Sequence, residues 1–149
     1  MSIEPYIFGK NIADVGTGPG FPGLVLAVLH PEIKFTLIDS VAKKISFVKN
    51  AIAILELNNV SAVIGRCEEL SPSLAFECIV SRAFAPLERI VSWCRGLITH
   101  NGKFVAMKGK LTDAERNDLP EDAVIEEIHE LHVPCLNASR QAVIISLKH

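Results

Sequence analysis

The segment Asn11-Ile12-Ala13-Asp14-Val15-Gly16-Thr17-Gly18-Pro19-Gly20-Phe21-Pro22-Gly23 decides the fold of this chain. A short apolar run ends at Asp14-Val15, a glycine cluster follows, and a helical pattern opens at Pro22. That order is a strand, a tight turn and a helix N-terminus. Glycines there let backbone N–H groups approach a ligand closely and leave room for its bulk.

Outward from this segment, apolar runs of strand length alternate with helix-period stretches, which predicts a parallel sheet covered on both faces. The first helix is expected from Pro22 to about His30, with Pro31 stopping it. Lys34 to Ile38 reads as the second strand, with Phe35 and Leu37 on one face and Thr36 and Ile38 on the other. Ser40 is expected to cap a long helix reaching Leu57, buried along Ile45, Val48, Ile52 and Leu55 and closed by Asn58-Asn59. Ser61 to Ile64 and Phe76 to Ser81 are the next strands, and Pro86 to Leu97 the next helix. A turn at Asn101-Gly102 should precede a fifth strand, Lys103 to Met107; Thr112 to Leu119 is weakly helical. Val124 to Val133 and Gln141 to Lys148 then form an antiparallel hairpin. The expected fold is one α/β domain with a seven-stranded mixed sheet and helices on both faces.

The 149 residues suffice for a single core, and 49% hydrophobic content marks a globular chain. The apolar stretch near Leu24 to Leu29 is too short to span a bilayer, and the first residues lack the basic start of a signal peptide. A cytoplasmic monomer without membrane or metal partners is the simplest expectation. Cys67, Cys78, Cys94 and Cys135 are irregularly spaced, which argues for free, mostly buried thiols rather than metal ligands. A net charge of −2 means that any nucleic-acid contact must rest on a local patch.

Two frames compete for the glycines. Gly18-x-Gly20-x-x-Gly23 fits the dinucleotide fingerprint, but Gly18 lies three residues past Val15, and Pro22 removes a donor. Gly16-x-Gly18-x-Gly20, preceded by Asp14, fits the turn of S-adenosylmethionine (SAM) methyltransferases, and Gly16 leaves the strand at the right point. SAM therefore outweighs NAD. Asp39 ends the second strand 23 positions after Gly16, where a carboxylate can accept from both ribose hydroxyls; helix capping beside Ser40 is the competing role. In the loop after the third strand, Cys67 and Glu68 are candidates for the adenine edge, against a plain acidic helix start.

The segments DVGTGPGFPG (14–23), FTLIDS (35–40), ISFVKN (45–50), SRAFAPL (81–87), VSWC (91–94), MKGK (107–110) and VPCL (133–136) resemble, in order, the bacterial small-subunit rRNA guanine-N7 methyltransferases, the GidB or RsmG family. The resemblance implies a Rossmann-like class I SAM-dependent fold and transfer of the SAM methyl group to N7 of one guanine in 16S rRNA, free or in the small ribosomal subunit. It implies SAM contacts at Gly16, Phe21, Cys67, Glu68 and Arg82, to which the physical reading adds Gly18, Gly20 and Asp39. The family also carries an N-terminal helical region that has no counterpart in these 149 residues. A noncatalytic SAM- or nucleotide-binding protein is the alternative from another class, and an NAD-dependent oxidoreductase ranks third.

Guanine N7 has an in-plane lone pair and no proton, so its methylation needs no general base. Holding two reactants at near-attack distance can supply ~7–11 kcal/mol of a barrier. No catalytic dyad is expected. Ser81-Arg82-Ala83-Phe84 stands where exocyclic-amine methylases resemble one another in an Asn/Asp-Pro-Pro-aromatic stretch, and Cys135 is read as packing. Arg82, Lys108 and Lys110 are expected at one edge of the sheet as contacts to RNA. The competing role for Arg82 is an ion pair with Glu88, and for the two lysines a solvated loop. Phe84 competes between base stacking and core packing, Trp93 is expected in the core, and the histidines carry no ligand spacing.

Overall fold

The computed structural model describes residues 3–71, 73–82, 85–131 and 140–148. Seven strands form one sheet: β1 (Asn11–Val15), β2 (Lys34–Asp39), β3 (Val60–Ile64), β4 (Phe76–Arg82), β5 (Ile98–Lys108), β6 (Ala123–Leu131) and β7 (Arg140–Leu147). Their order is β3-β2-β1-β4-β5-β7-β6. The first five strands pair in parallel, and β7 runs antiparallel to both β5 and β6. The mixed sheet with its terminal hairpin is as expected. The strand order reverses between β1 and β4, so the connections leaving the carboxyl ends of the central strands diverge and open a crevice there.

Alternation along the strands divides the core. Phe35, Leu37, Ile12, Cys78 and Val80 face α1 (Gly23–Leu29) and α2 (Ala42–Ile54). Ala13, Val15, Ile38, Ile79 and Phe104 face α3 (Leu87–Cys94), which buries Leu87, Ile90, Val91 and Cys94. Phe104 is 2% exposed among these side chains. Phe104→Ala should lower unfolding free energy by about 3–5 kcal/mol, the range for a large core side chain replaced by a cavity. Denaturant titration checks this; a loss under about 1 kcal/mol would show that the site collapses freely.

Several boundaries depart from expectation. Pro22 stands at the N-cap of α1 rather than inside it. Ser40 does not cap α2: its N-cap is Val41, whose N–H donates to Asp39 Oδ1 at 2.9 Å. That helix ends at Ile54, and Glu56 at φ 53° takes the left-handed conformation that turns the chain. Leu55 is 52% exposed instead of joining the buried stripe. Asn59 ties elements together, its amide nitrogen lying 3.0 Å from each of the carbonyls of Ala27, His30 and Ile33. The expected turn at Asn101-Gly102 is a bulge within β5, where pairing passes from Phe76↔Ile98 to Cys78↔Lys103. A β-carbon at Gly102 would lie 3.1 Å from the Glu77 carbonyl oxygen, so the close approach favours glycine. The helix expected from Pro86 to Leu97 stops at Cys94 and tightens into a 3-10 turn over Arg95–Leu97. α4 (Asp113–Asp118) is capped by the Thr112 hydroxyl, which accepts from the Glu115 N–H.

Candidate functional site

The glycine turn is held from three directions. Gly16, Gly18 and Gly20 have φ of 67°, 59° and 103°, a region costly for any residue with a β-carbon. Gly16 and Thr17 donate their N–H groups to the Ile38 carbonyl, fastening the turn to the end of β2. Asp39 Oδ2 accepts from the Gly18 N–H at 3.0 Å. Beneath the turn, Asp14 Oδ2 accepts from the Thr17 hydroxyl at 2.8 Å and from the Gly23 N–H at 2.9 Å. It thereby satisfies one of the N–H groups that open α1.

Asp14 is the electrostatic centre of this arrangement. It is 2% exposed, and Oδ1 is buried without a hydrogen-bond partner among the described residues. Burial pushes its carboxyl up to about 7, against the lowering effect of its bonds to Thr17 and Gly23 and of the Arg82 charge. Its negative form is costly here unless a positive group approaches.

Beyond the turn lies a cavity of about 520 Å³, a size typical of small-ligand sites. Gly16, Asp39, Cys67 and Glu68 all line it, so the structure brings these four expected residues together. Asp39 uses each oxygen once on a backbone N–H, and a carboxylate has about four acceptor positions, so capacity for two hydroxyls remains. The competing capping role is also realised, through Val41 rather than Ser40.

The remaining expected residues do not line this cavity. Gly18 and Gly20 form the turn beside it, and Phe21 is 46% exposed. Arg82 is exposed at the end of β4, its Nη2 3.2 Å from where a Gly18 β-carbon would stand; it is not paired with Glu88 among the described residues. Lys108 Nζ bonds Glu115 Oε2 and is largely covered, so its charge is already matched, whereas Lys110 is exposed. Phe84 and Cys135 lie outside the described residues.

Trp93 packs against the core cluster, as expected, and also has a second role. It is half-buried on α3 and lines the cavity together with Arg89, four residues earlier on the same helical face, and with Ala85 and Pro86. Val41, Lys44 and Arg66 also line the cavity. The i,i+4 pair Arg89 and Trp93 was the available signal, but only the packing of α3 against the Cys67 turn gives it meaning. Burial pushes the Cys78 thiol up to about 12, and the neighbouring Cys67 thiol together with burial raises that of Cys94, so neither supplies a thiolate nucleophile. Among the described residues no group of three His, Cys, Asp or Glu side chains could hold a metal ion.

The positive-φ glycines, the unpartnered Asp14 oxygen and the Asp39 carboxylate fit a cofactor with a cationic amino-acid end and a ribose. The antiparallel β7 between β5 and β6 departs from the strand order of the dinucleotide fold and sets the NAD reading aside. Fold and site define a Rossmann-like, class I SAM-dependent methyltransferase.

The GidB family, rRNA small subunit methyltransferase G, matches residues 1–144, and the chain belongs to it. The chain is 42% identical over 149 residues to Ribosomal RNA small subunit methyltransferase G of Aeromonas salmonicida (strain A449), covering 100% of this chain and 71% of that one. The fold is shared with TrmN from Thermus thermophilus at a TM-score of 0.70 and 16% identity, over 93% of this chain and 44% of that one. It is also shared with a mutant of MtNAS in complex with S-adenosylmethionine, at a TM-score of 0.71 and 12% identity, over 97% of this chain and 57% of that one.

Proposed function

We infer that this protein transfers the methyl group of SAM to N7 of a guanine in 16S rRNA, free or within the small ribosomal subunit, in the cytoplasm and as a single-domain monomer. The observation that carries the reading is the convergence of Gly16, Asp39, Cys67 and Glu68 on one cavity beside the Asp14 turn. Membership of the rRNA methyltransferase family supports the substrate.

When bound, SAM supplies an electrophilic methyl group on a sulfonium. The chain's own residues position and shield it. Gly16, Gly18, Gly20 and Phe21 would make room for the amino-acid end, whose ammonium would offset the Asp14 charge. Asp39 would accept from the ribose hydroxyls, and Cys67 and Glu68 would meet the adenine edge, with Trp93 on the cavity wall. Arg82 stands between cofactor and RNA. No residue has to remove a proton before transfer, because N7 carries none. Catalysis then rests on in-line placement in a partly desolvated crevice.

The test is to map 7-methylguanine by strand cleavage in 16S rRNA from cells lacking this protein, with and without the cloned chain restored. One cleavage site that disappears with the gene and returns with the chain is expected. Restored SAM binding without restored cleavage would favour the noncatalytic alternative.

A further inference from the structure

We propose that Arg140 is a second phosphate anchor for the RNA substrate, lying on the same face of the sheet as Arg82 and reached over Gly109. The identity of the anion rests on the methyl-transfer reading above; the placement rests on strand register and on the approach of Arg140 to Gly109.

Side chains alternate across a sheet, and residues paired between neighbouring strands share a face. Arg82 pairs with Met107, and Met107 pairs with Ala142. Met107 packs against the core cluster beneath α1 and α2, so Arg82 emerges on that face, over the glycine turn. Arg140 is two residues before Ala142 and shares its face, as Gly109 shares that of Met107. A β-carbon at Gly109 would lie 3.5 Å from Arg140 Nη1, which places this guanidinium beside the end of β5. Gly109 presents no side chain beside Arg140 on this face. Two strand spacings across the sheet and two residues along β7 put their backbones roughly 12 Å apart, a span that two arginines can bridge along an RNA backbone.

Lys108 belongs to the other face. It pairs with Gln141, which pairs with Glu130, and the side chains there are already joined: Lys108 to Glu115, and Gln141 Nε2 to Glu130 at 2.9 Å. Arg140 is exposed and makes no ion pair among the described residues. Register thus sets Arg82 and Arg140 on one face of the sheet and Lys108 on the other. A guanidinium can hold a phosphate bidentately, and neutralising one phosphate releases counterions, which gives the contact a salt signature.

The experiment measures binding of 16S rRNA by the whole chain, with S-adenosylhomocysteine present, from about 50 to 200 mM salt. Arg140→Ala should weaken binding several-fold at low salt and reduce the slope of log affinity against log salt by ~0.7–0.9. Arg140→Lys should keep the slope, and the calorimetric affinity for S-adenosylhomocysteine should not move in either variant. Unchanged RNA affinity and slope in Arg140→Ala, beside salt-dependent binding by the wild type, would overturn the anchor alone. Absence of RNA binding by the wild type would overturn both the anchor and the substrate assignment.

Discussion

Asp39→Ala is expected to reduce affinity for S-adenosylhomocysteine by ~10²–10⁴-fold. The carboxylate supports the site twice. Toward the ligand it offers two acceptor positions to ribose hydroxyls, each charge-assisted bond being worth ~1.5–3 kcal/mol, and every 1.4 kcal/mol is about tenfold in affinity. Toward the protein it fixes the Gly18 and Val41 N–H groups, at 3.0 and 2.9 Å. Without it the glycine turn and the start of α2 lose their common tether, and unfolding free energy should fall by about 2–3 kcal/mol. Asp39→Asn retains one acceptor oxygen and should fall between the two. Calorimetry with S-adenosylhomocysteine and denaturant titration measure the two effects separately. Wild-type affinity in Asp39→Ala would remove this residue from the cofactor site and leave it a turn-fastening role.

The second large effect is a pH dependence centred on Asp14. Its folded carboxyl is pushed up to about 7, chiefly by burial, from an ordinary value of 3.8. Between those values the native state holds a proton that the unfolded chain has released, so stability falls as pH rises. Below about pH 4 both states are protonated and there is no penalty; above about 7 the full cost applies, on the order of 4 kcal/mol. A cation arriving with the ligand lowers the carboxyl again and releases a proton. Stabilisation by S-adenosylhomocysteine should therefore be larger at about pH 7.5 than at about pH 5.5. Asp14→Asn removes the titrating group while keeping an oxygen for Thr17 or Gly23. This variant should flatten the pH dependence of the unliganded protein and bind the cofactor product at least about tenfold more weakly. Denaturation midpoints at both pH values, with and without ligand, decide it. An unchanged pH profile in Asp14→Asn would place the titration elsewhere.

Much of this site was legible before the structure because its determinants are local. A glycine cluster directly after a strand restricts the backbone wherever the rest of the chain goes, and an acid at the end of the second strand follows from the βαβ repeat. Period-2 alternation placed Phe35 and Leu37 opposite Ile38, as the two core clusters have them. Boundaries were less legible. Asn101-Gly102 reads locally as a turn, yet pairing with β4 keeps it within a strand as a bulge. Ser40 is a good local cap, but the helix opens one residue later, with Val41 at its N-cap and the Asp39 carboxylate on the Val41 N–H.

From the order of residues alone came the strand-turn-helix at Asp14 to Gly23, the mixed sheet with its hairpin, and the adenosine-type cofactor, all products of short-range geometry and pattern. Tertiary structure alone decided which distant groups meet. It set Trp93 and Arg89 of α3 on the wall of the same cavity as Asp39 and withdrew Lys108 into a pair with Glu115. It also left one Asp14 oxygen without a partner among the described residues. Those outcomes depend on helix docking and strand register, which no local stretch encodes.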